Sequence, residues 1–355
     1  MGLVGRLDMV ELASGVDALY LSGRAAIPPT LFEAVAQLQE EARNCRSEVA
    51  WLIGAHEITV PPMGLGRYRF RFDHPNGVVG ITESADLPAL RIQPRARFLH
   101  AVGPERAVDW FRTLLEPVVG EVALKVSRID LFTDTQGWEL KAEDRSRFVS
   151  RSRATATYED GGELSGFVFG KRKSGTASAR IYDKSMEIEK TGHDWWKTKW
   201  GGAYQPEARV LRVEFEAGRS LLREFGLATP ESVLAEVGAM WGYLTDEWLS
   251  FRDRATDTTK SRWPVATEWE MIRAASLRDG AIGLERVYAG EAVGLMRRLK
   301  PLLRGCLSSA GALLNAHSLE ETLAGVQRVI ASDEAESGIT FGSRIQGKRR
   351  ALGLT

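Results

Sequence analysis

Three separate segments of this chain alternate their side chains with the two-residue period of a β-strand, and each collects polar groups on one face. One strand of this kind is typical of a solvated sheet face. Three neighbouring strands would instead place carboxylates, cations and a tyrosine together on one sheet surface. The three polar sets are Arg128, Asp130 and Asp134 in residues 127–134, Arg180, Tyr182 and Lys184 in residues 179–184, and Arg212, Glu214 and Glu216 in residues 211–216.

Such a surface would carry the groups that phosphodiester chemistry needs. Carboxylate oxygens are suitable ligands for a hard cation such as Mg²⁺ or Mn²⁺. A metal and guanidinium groups can neutralise phosphoryl charge while the oxygen of Tyr182 attacks the phosphorus. The alternative for Tyr182 is an ordinary half-buried position in the core, and periodicity alone leaves both interpretations open.

The rest of the pattern predicts an α+β domain followed by helices. Before residue 228, strand-like runs such as residues 16–21 alternate with helical segments, one of them expected at residues 142–153. After that point the apolar spacing indicates helices only, beginning with one long helix from Thr229 to Phe251. We therefore expect an α+β domain, a helical region and a basic tail, at residues 1–227, 228–331 and 332–355.

Four segments also occur in the order seen in the replication initiation factors. These are the rolling-circle Rep proteins of plasmids and phages, with related relaxases of integrative conjugative elements. The chain resembles this family over residues 85–225, and the segments read SRIDLFTD from residue 127, FVFGKRKS from 167, RIYDK from 180 and RVEFE from 212. The resemblance implies a Rep- or relaxase-like palm: an antiparallel sheet as the catalytic core with helices packed on one face, followed by a helical C-terminal region.

The resemblance further implies nicking and joining of origin DNA, single-stranded or cruciform, in rolling-circle replication. Tyr182 would attack one strand and become linked to its 5′ phosphate. The freed 3′ hydroxyl would prime synthesis. Arg180 and Lys184 would hold the scissile phosphate or favour the tyrosinate, since an ordinary tyrosine has a pKa of about 10.

A divalent metal, Mg²⁺ or Mn²⁺, is the cofactor that the resemblance implies. The wider superfamily binds its metal through a His-hydrophobe-His motif, but no two histidines of this chain are two residues apart. Carboxylates would take that place here. The implied ligands are Asp130 and Glu214, with Asp134 and Glu216 as further candidates.

Net charge alone argues against a nucleic-acid partner, because 47 Lys and Arg residues balance 47 Asp and Glu residues. However, the positive charge is concentrated in residues 171–184 and in the lysines that follow at positions 197 and 199. Nearby Trp196 and Trp200 allow two interpretations, base stacking on single-stranded DNA or packing in the core. The candidate DNA-binding residues are Lys171, Arg172, Lys173, Arg128, Arg212, Lys197 and Lys199.

DNA is thus the expected partner, with a host helicase and a second copy of the chain as further candidates. We expect a cytoplasmic location and no membrane contact, because the sequence opens without a targeting segment and lacks an apolar run of roughly 18 residues. Two alternatives to replication initiation stay open. A relaxase for conjugative transfer of a mobile element would use the same chemistry, and a non-catalytic DNA-binding regulator could share the fold.

Overall fold

The computed structural model describes residues 9–277, 303, 306–338 and 340–351. The chain forms two compact units, residues 1–282 and 283–355. The first contains a large antiparallel sheet with helices packed against it, and the described part of the second is helical. The predicted α+β class with a helical C-terminal region is therefore confirmed.

The strands of the first unit form one large sheet and one small one. They are β1 (Val10–Arg24), β2 (Val49–Ile53), β3 (His56–Val60), β4 (Phe70–His74), β5 (Gly77–Ile81), β6 (Leu90–Pro94), β7 (Ala123–Gln136), β8 (Phe148–Ser150), β9 (Thr155–Asp160), β10 (Glu163–Phe169), β11 (Ala177–Asp183), β12 (Leu211–Gly218) and β13 (Leu249–Phe251). The large sheet has the order β2-β3-β4-β5-β6-β1-β7-β12-β11-β10-β9, and β8 pairs with β13. Every described pair is antiparallel.

Helices connect and cover the strands of the first unit, and the described part of the second unit also consists of helices. Those of the first unit are α1 (Pro29–Cys45), α2 (Ala96–Val102), α3 (Pro104–Val119), α4 (Lys184–Thr191), α5 (Trp195–Trp200), α6 (Arg219–Glu224), α7 (Pro230–Ala235), α8 (Val237–Tyr243) and α9 (Thr267–Arg273). Those of the second are α10 (306–313), α11 (Leu319–Ser337) and α12 (Phe341–Ala351). Ser318 caps α11, because its hydroxyl accepts a 3.1 Å hydrogen bond from the backbone N–H of Glu321. No helix in the described parts of the chain is long and apolar enough to cross a membrane.

The two faces of the large sheet bury different side chains. On one face Leu131, Ile181 and Phe215 of β7, β11 and β12 belong to the main hydrophobic core, which also includes residues of α1, α3, α7, α8 and α9. The opposite face carries the polar residues of the same strands. A smaller apolar cluster around Phe132 and Trp196 covers part of that face. Alternation along each strand thus separates the core from the polar surface.

β1 lies in the middle of the sheet, between β6 and β7. The sequence indicated residues 16–21 of this strand, whereas the structure extends it over 15 residues. Its pairing with β7 shifts register between Val16 and Ala18, which marks a β-bulge at Asp17. Because of this bulge, the carboxylate of Asp17 lies on the same side of the sheet as the polar residues of β7 and β12.

Two predicted helices are wrong. Residues 142–153 form a 3₁₀ turn (Ala142–Arg147) followed by β8, and the long helix expected from Thr229 divides into α7, α8, a π-helical turn and β13. Phe148 lies opposite Phe251 in the β8–β13 pair, with ring centroids 4.6 Å apart. Strand pairing and the burial of these rings outweigh the helical periodicity of both segments.

The first unit ends at residue 282, beyond the boundary at residue 227 that the sequence suggested. Val233, Met240 and Ile272, from α7, α8 and α9, are buried in the same core as Leu131 of the sheet. Because these helices complete that core, they belong to the first unit. The predicted basic tail includes the end of α11 and all of α12, and its residues 339 and 352–355 lie outside the described residues.

Candidate functional site

The three polar strands identified in the sequence are neighbours, because β12 lies between β7 and β11. Their register aligns the polar residues in rows across the sheet. Glu216 lies opposite Asp130 of β7, and Glu214 lies opposite Arg180 of β11. Arg212 lies opposite both Asp134 and Tyr182. The structure therefore brings the predicted carboxylates, cations and tyrosine onto one surface.

Tyr182 is held by its neighbours on this surface. Its hydroxyl donates a 3.1 Å hydrogen bond to Oε2 of Glu214, and Arg180 forms an ion pair with the other oxygen of that carboxylate. The Arg180 guanidinium lies 5.1 Å from the centre of the Tyr182 ring and the Lys184 ammonium 5.8 Å from it. Burial and then the Glu214 charge raise the pKa of Tyr182 well above its ordinary value, against the opposing effect of Arg212 and Arg180. The phenol is therefore protonated at neutral pH and has a proton acceptor in place.

A cluster of three carboxylates lies beside the tyrosine. Asp130 accepts a 2.7 Å hydrogen bond from Nε of Arg128, whose Nη2 is also 3.2 Å from Oε2 of Glu216. Burial raises the pKa of Asp130 to about 7; Arg128 opposes this rise, and the nearby Glu214 and Glu216 charges add to it. These acids are thus close enough to repel one another, which a bound cation would relieve.

The donor chemistry of this cluster fits a hard divalent cation. Asp130, Glu214 and Glu216 offer oxygen ligands only, and the buried Oε2 of Glu216 lacks a hydrogen-bond partner. Across the described ranges, no three His, Cys, Asp or Glu side chains are already gathered as a metal site, so a cation would have to draw these carboxylates together. In this arrangement Arg128 and Arg180 are paired with the carboxylates that a cation would contact.

Asp134 and Arg212 have different surroundings from those the sequence suggested. The fully buried Arg212 donates to Asp134 from Nε at 2.6 Å and Nη2 at 2.7 Å, and Trp200 donates to Asp134 Oδ2 at 2.8 Å. The guanidinium lies over the rings of Phe132 and Trp196, 4.1 and 4.0 Å from their centres. Both oxygens of Asp134 are therefore already occupied, and Arg212 has no exposed surface with which to contact DNA.

Two residues of this network, Asp17 and His100, were not among the candidates. Asp17 Oδ1 accepts a 2.9 Å hydrogen bond from Arg212 and lies 3.5 Å from Nε2 of His100. The pKa of Asp17 is lowered, because Arg212 and His100 outweigh the effect of burial. Burial lowers the pKa of His100 to about 4. The one sequence feature that could have identified Asp17 is its position as an isolated acid within the apolar run of residues 16–21.

The basic turn between β10 and β11 lies next to the carboxylate cluster. Lys171, Arg172 and Lys173 are exposed at this turn. The backbone N–H of Lys173 donates a 2.5 Å hydrogen bond to Oε1 of Glu216, and Nε of Arg172 lies 3.8 Å from Oε2. These two contacts place the exposed cations beside the predicted metal ligands.

The helical segment that follows Tyr182 contributes packing more than exposed charge. Lys184 is buried, with Nζ 2.5 Å from Oε2 of Glu187. Trp196 and Trp200 lie in the smaller apolar cluster, which favours the core interpretation over base stacking. Of the two lysines between them, Lys197 is exposed and paired with Asp194, whereas Lys199 is partly buried.

No protein-family model matches this chain, and no curated protein matches it. Among solved structures, the chain is similar to a rolling circle replication initiator protein from Geobacillus stearothermophilus. The two share 16% sequence identity with a TM-score of 0.42, over 79% of this chain and 99% of that one. A similarity of this size does not establish a family, so a function has to be argued from the site.

Proposed function

We propose that this protein is a tyrosine-dependent DNA strand transferase that nicks and joins origin DNA in rolling-circle replication. The observation that carries this proposal is the hydrogen bond from Tyr182 to Glu214, made beside Arg180 and an acidic cluster. A buried tyrosine with only a structural role needs some hydrogen-bond acceptor, but it does not need a carboxylate together with two nearby cations. A nucleophile needs both, since its proton must leave and the phosphate must be held.

The reaction that fits these groups is a transesterification. The oxygen of Tyr182 attacks the phosphorus, its proton passes to Glu214, and the bond from phosphorus to the 3′ oxygen breaks. The products are a 5′ phosphate linked to Tyr182 and a 3′ oxygen that takes up a proton from water. Arg180 would stabilise the charge on the phosphate during the transfer. Attack by a 3′ hydroxyl on the phosphotyrosine reverses the step and joins the strand.

We propose Asp130, Glu214 and Glu216 as the residues that would hold Mg²⁺ or Mn²⁺. When bound, the cation would neutralise charge on the phosphoryl group. Asp134 is left out of this set because it is fully enclosed: its partners Arg212 and Trp200 are themselves buried, and Arg212 has no exposed surface at all. Arg128 would keep Asp130 in position, since it donates to that carboxylate from within the sheet.

DNA would reach this site along the basic turn. Lys171, Arg172 and Lys173 are exposed next to Glu216, and phosphate contacts from such side chains orient a strand without reading its sequence. Lys197 is exposed on α5 and would extend the contact. Conjugative transfer of a mobile element would use the same residues. A neighbouring gene for a transfer ATPase would indicate conjugative transfer, and an adjacent set of phage genes would indicate replication.

The test is a comparison of Tyr182→Phe with Tyr158→Phe. Tyr158 is an exposed tyrosine of β9, so its variant controls for loss of a phenol elsewhere in the same sheet. Single-stranded oligonucleotides that tile the DNA flanking the gene are incubated with each protein and Mn²⁺. We expect nicking by the wild type and by Tyr158→Phe, and none by Tyr182→Phe. Full nicking by Tyr182→Phe would refute the mechanism, and metal-independent binding without nicking by the wild type would favour a non-catalytic regulator.

A further inference from the structure

A second polar cleft, of about 720 Å³, opens at the β9 edge of the large sheet. It is lined by the 3₁₀ turn Ala142–Arg147, by β8 and β9, and by residues of the segment after β13. Thr155 of β9 and Phe169 of β10, which lie opposite each other, both contribute to its wall. None of the residues assigned to the strand-transfer site lines this cleft.

Three cations in the lining of this cleft donate to neutral oxygens only. Nη2 of Arg254 lies 2.9 Å from the hydroxyl of Ser146, and Nζ of Lys260 lies 2.8 Å from the carbonyl oxygen of the same residue. Arg145 donates to the hydroxyl of Thr155. Within the described residues, none of the three cations has an acidic partner within 4.0 Å. The cleft therefore has a net positive charge, even though Glu143 also contributes to its lining.

The uncharged polar groups of the lining also suit an anionic ligand. Four residues with hydroxyl side chains line the cleft together with these cations: Ser146, Ser150, Ser152 and Thr155. Two of them, Ser146 and Ser152, also donate to backbone carbonyl oxygens. Guanidinium, ammonium and hydroxyl groups are the usual donors to phosphate oxygens. We propose that this cleft binds phosphate groups of the DNA backbone, as a second contact surface separate from the tyrosine site.

The position of the cleft favours a polymer over a free nucleotide. Phe169 in its wall is followed two residues later by the exposed turn Lys171–Lys173, which lies against Glu216. A strand held in the cleft therefore continues along a basic surface toward the carboxylate cluster. The aromatic residues of the lining, Phe148 and Phe169, are buried in the core, so they offer no free ring for a single base to stack on. This inference rests on the proposed function for the identity of the polymer as DNA.

The test measures how DNA affinity depends on salt. The double variant Arg254→Gln/Lys260→Gln is compared with Arg43→Gln/Arg106→Gln, which removes the same charge from α1 and α3. Those helices contact β2, at the opposite edge of the sheet from β9. Fluorescence anisotropy with a labelled duplex gives the slope of log affinity against log salt concentration. Each phosphate contact contributes about 0.9 to that slope, so the cleft variant should lose about 1.8 and bind roughly 10- to 100-fold more weakly at low salt.

Equal slopes for the two double variants, both folded by circular dichroism, would overturn the inference. A second arm titrates wild type and cleft variant with thymidine triphosphate. Stoichiometric binding that the variant loses would assign the cleft to a free nucleotide and overturn the DNA assignment. The Tyr182→Phe variant should keep the full slope. If the wild type forms no covalent adduct while the slopes still differ, the strand-transfer proposal fails and the cleft stands.

Discussion

The hydroxyl of Tyr182 donates to one oxygen of Glu214, and Arg180 pairs with the other oxygen of the same carboxylate. Glu214 thus connects the nucleophile to the cation that would hold the phosphate. All three side chains project from the adjacent strands β11 and β12, where hydrogen bonding fixes their register. A loop could not hold these groups with the same precision.

Glu214→Gln keeps the size of the side chain but removes its ability to accept the phenolic proton. We expect the single-turnover rate of nicking to fall by about 10²- to 10⁴-fold, the usual contribution of a general base. Glu187→Gln, at a glutamate of α4 that also contacts a site cation, should stay near the wild-type rate. Rates are measured by rapid quench with a labelled oligonucleotide. A Glu214→Gln enzyme as fast as wild type would exclude this role.

Arg212→Met tests the buried ion network behind the tyrosine. The substitution leaves Asp134 buried without its charge partner, and the expected loss in the free energy of unfolding is about 3–5 kcal/mol. Arg209→Met is the matched control, because Arg209 lies 3.7 Å from Asp183 with more than half of its side chain exposed. Its loss should stay below about 1 kcal/mol. Urea unfolding measures both, and equal losses would contradict the network.

His100 makes stability depend on pH in a defined direction. It is enclosed by Asp17 of β1, Lys199 of α5 and Arg212 of β12, and its pKa in the folded protein is about 4 against an ordinary value of 6.5. Between these values the unfolded chain binds the additional proton, so the free energy of unfolding falls as pH decreases, by about 3 kcal/mol in total. The raised pKa of Asp130 acts in the opposite direction.

The comparison with His100→Gln isolates this contribution, because Asp130 is common to both proteins. Urea unfolding at several pH values between 7 and 4 should show that the wild type loses stability relative to the variant. A constant difference between the two proteins across this range would mean that His100 titrates normally in the folded state.

Cation binding can be measured without any reaction. At ten times its dissociation constant, Mn²⁺ should stabilise the wild type by about 1.4 kcal/mol, which raises the melting temperature by a few degrees. Glu216→Gln should abolish this rise, since it removes one of the three proposed ligands. Glu187→Gln should retain it. Calorimetry with Mn²⁺ provides the check, and an unchanged response of Glu216→Gln would remove Glu216 from the ligand set.

The polar face of the site follows from the sequence because alternation persists through β7, β11 and β12. Each strand buries its apolar side chains in the main core, so the opposite face is fixed by periodicity alone. The same logic failed for residues 142–153 and for the segment ending at Phe251. Both have helical spacing, yet pairing between them makes residues 148–150 and 249–251 strands.

The support behind Tyr182 could not be predicted in this way. Asp17 is 195 residues from Arg212 in sequence, and a bulge in β1 brings them together. The burial of Arg212 depends on Trp196 of α5, which covers part of the polar face. Periodicity identifies which residues share a face, but tertiary packing decides which of them stay accessible to DNA.

The most direct test of the strand-transfer mechanism is the position of a covalent DNA adduct. Wild-type protein is incubated with Mn²⁺ and an intact oligonucleotide that contains the nick site. It is then denatured in SDS, digested and analysed by peptide mass spectrometry. We predict an SDS-resistant adduct on the peptide that contains Tyr182, with a 5′ phosphate linked to its oxygen. Nicking without an adduct, or an adduct on another tyrosine such as Tyr158, would contradict the mechanism.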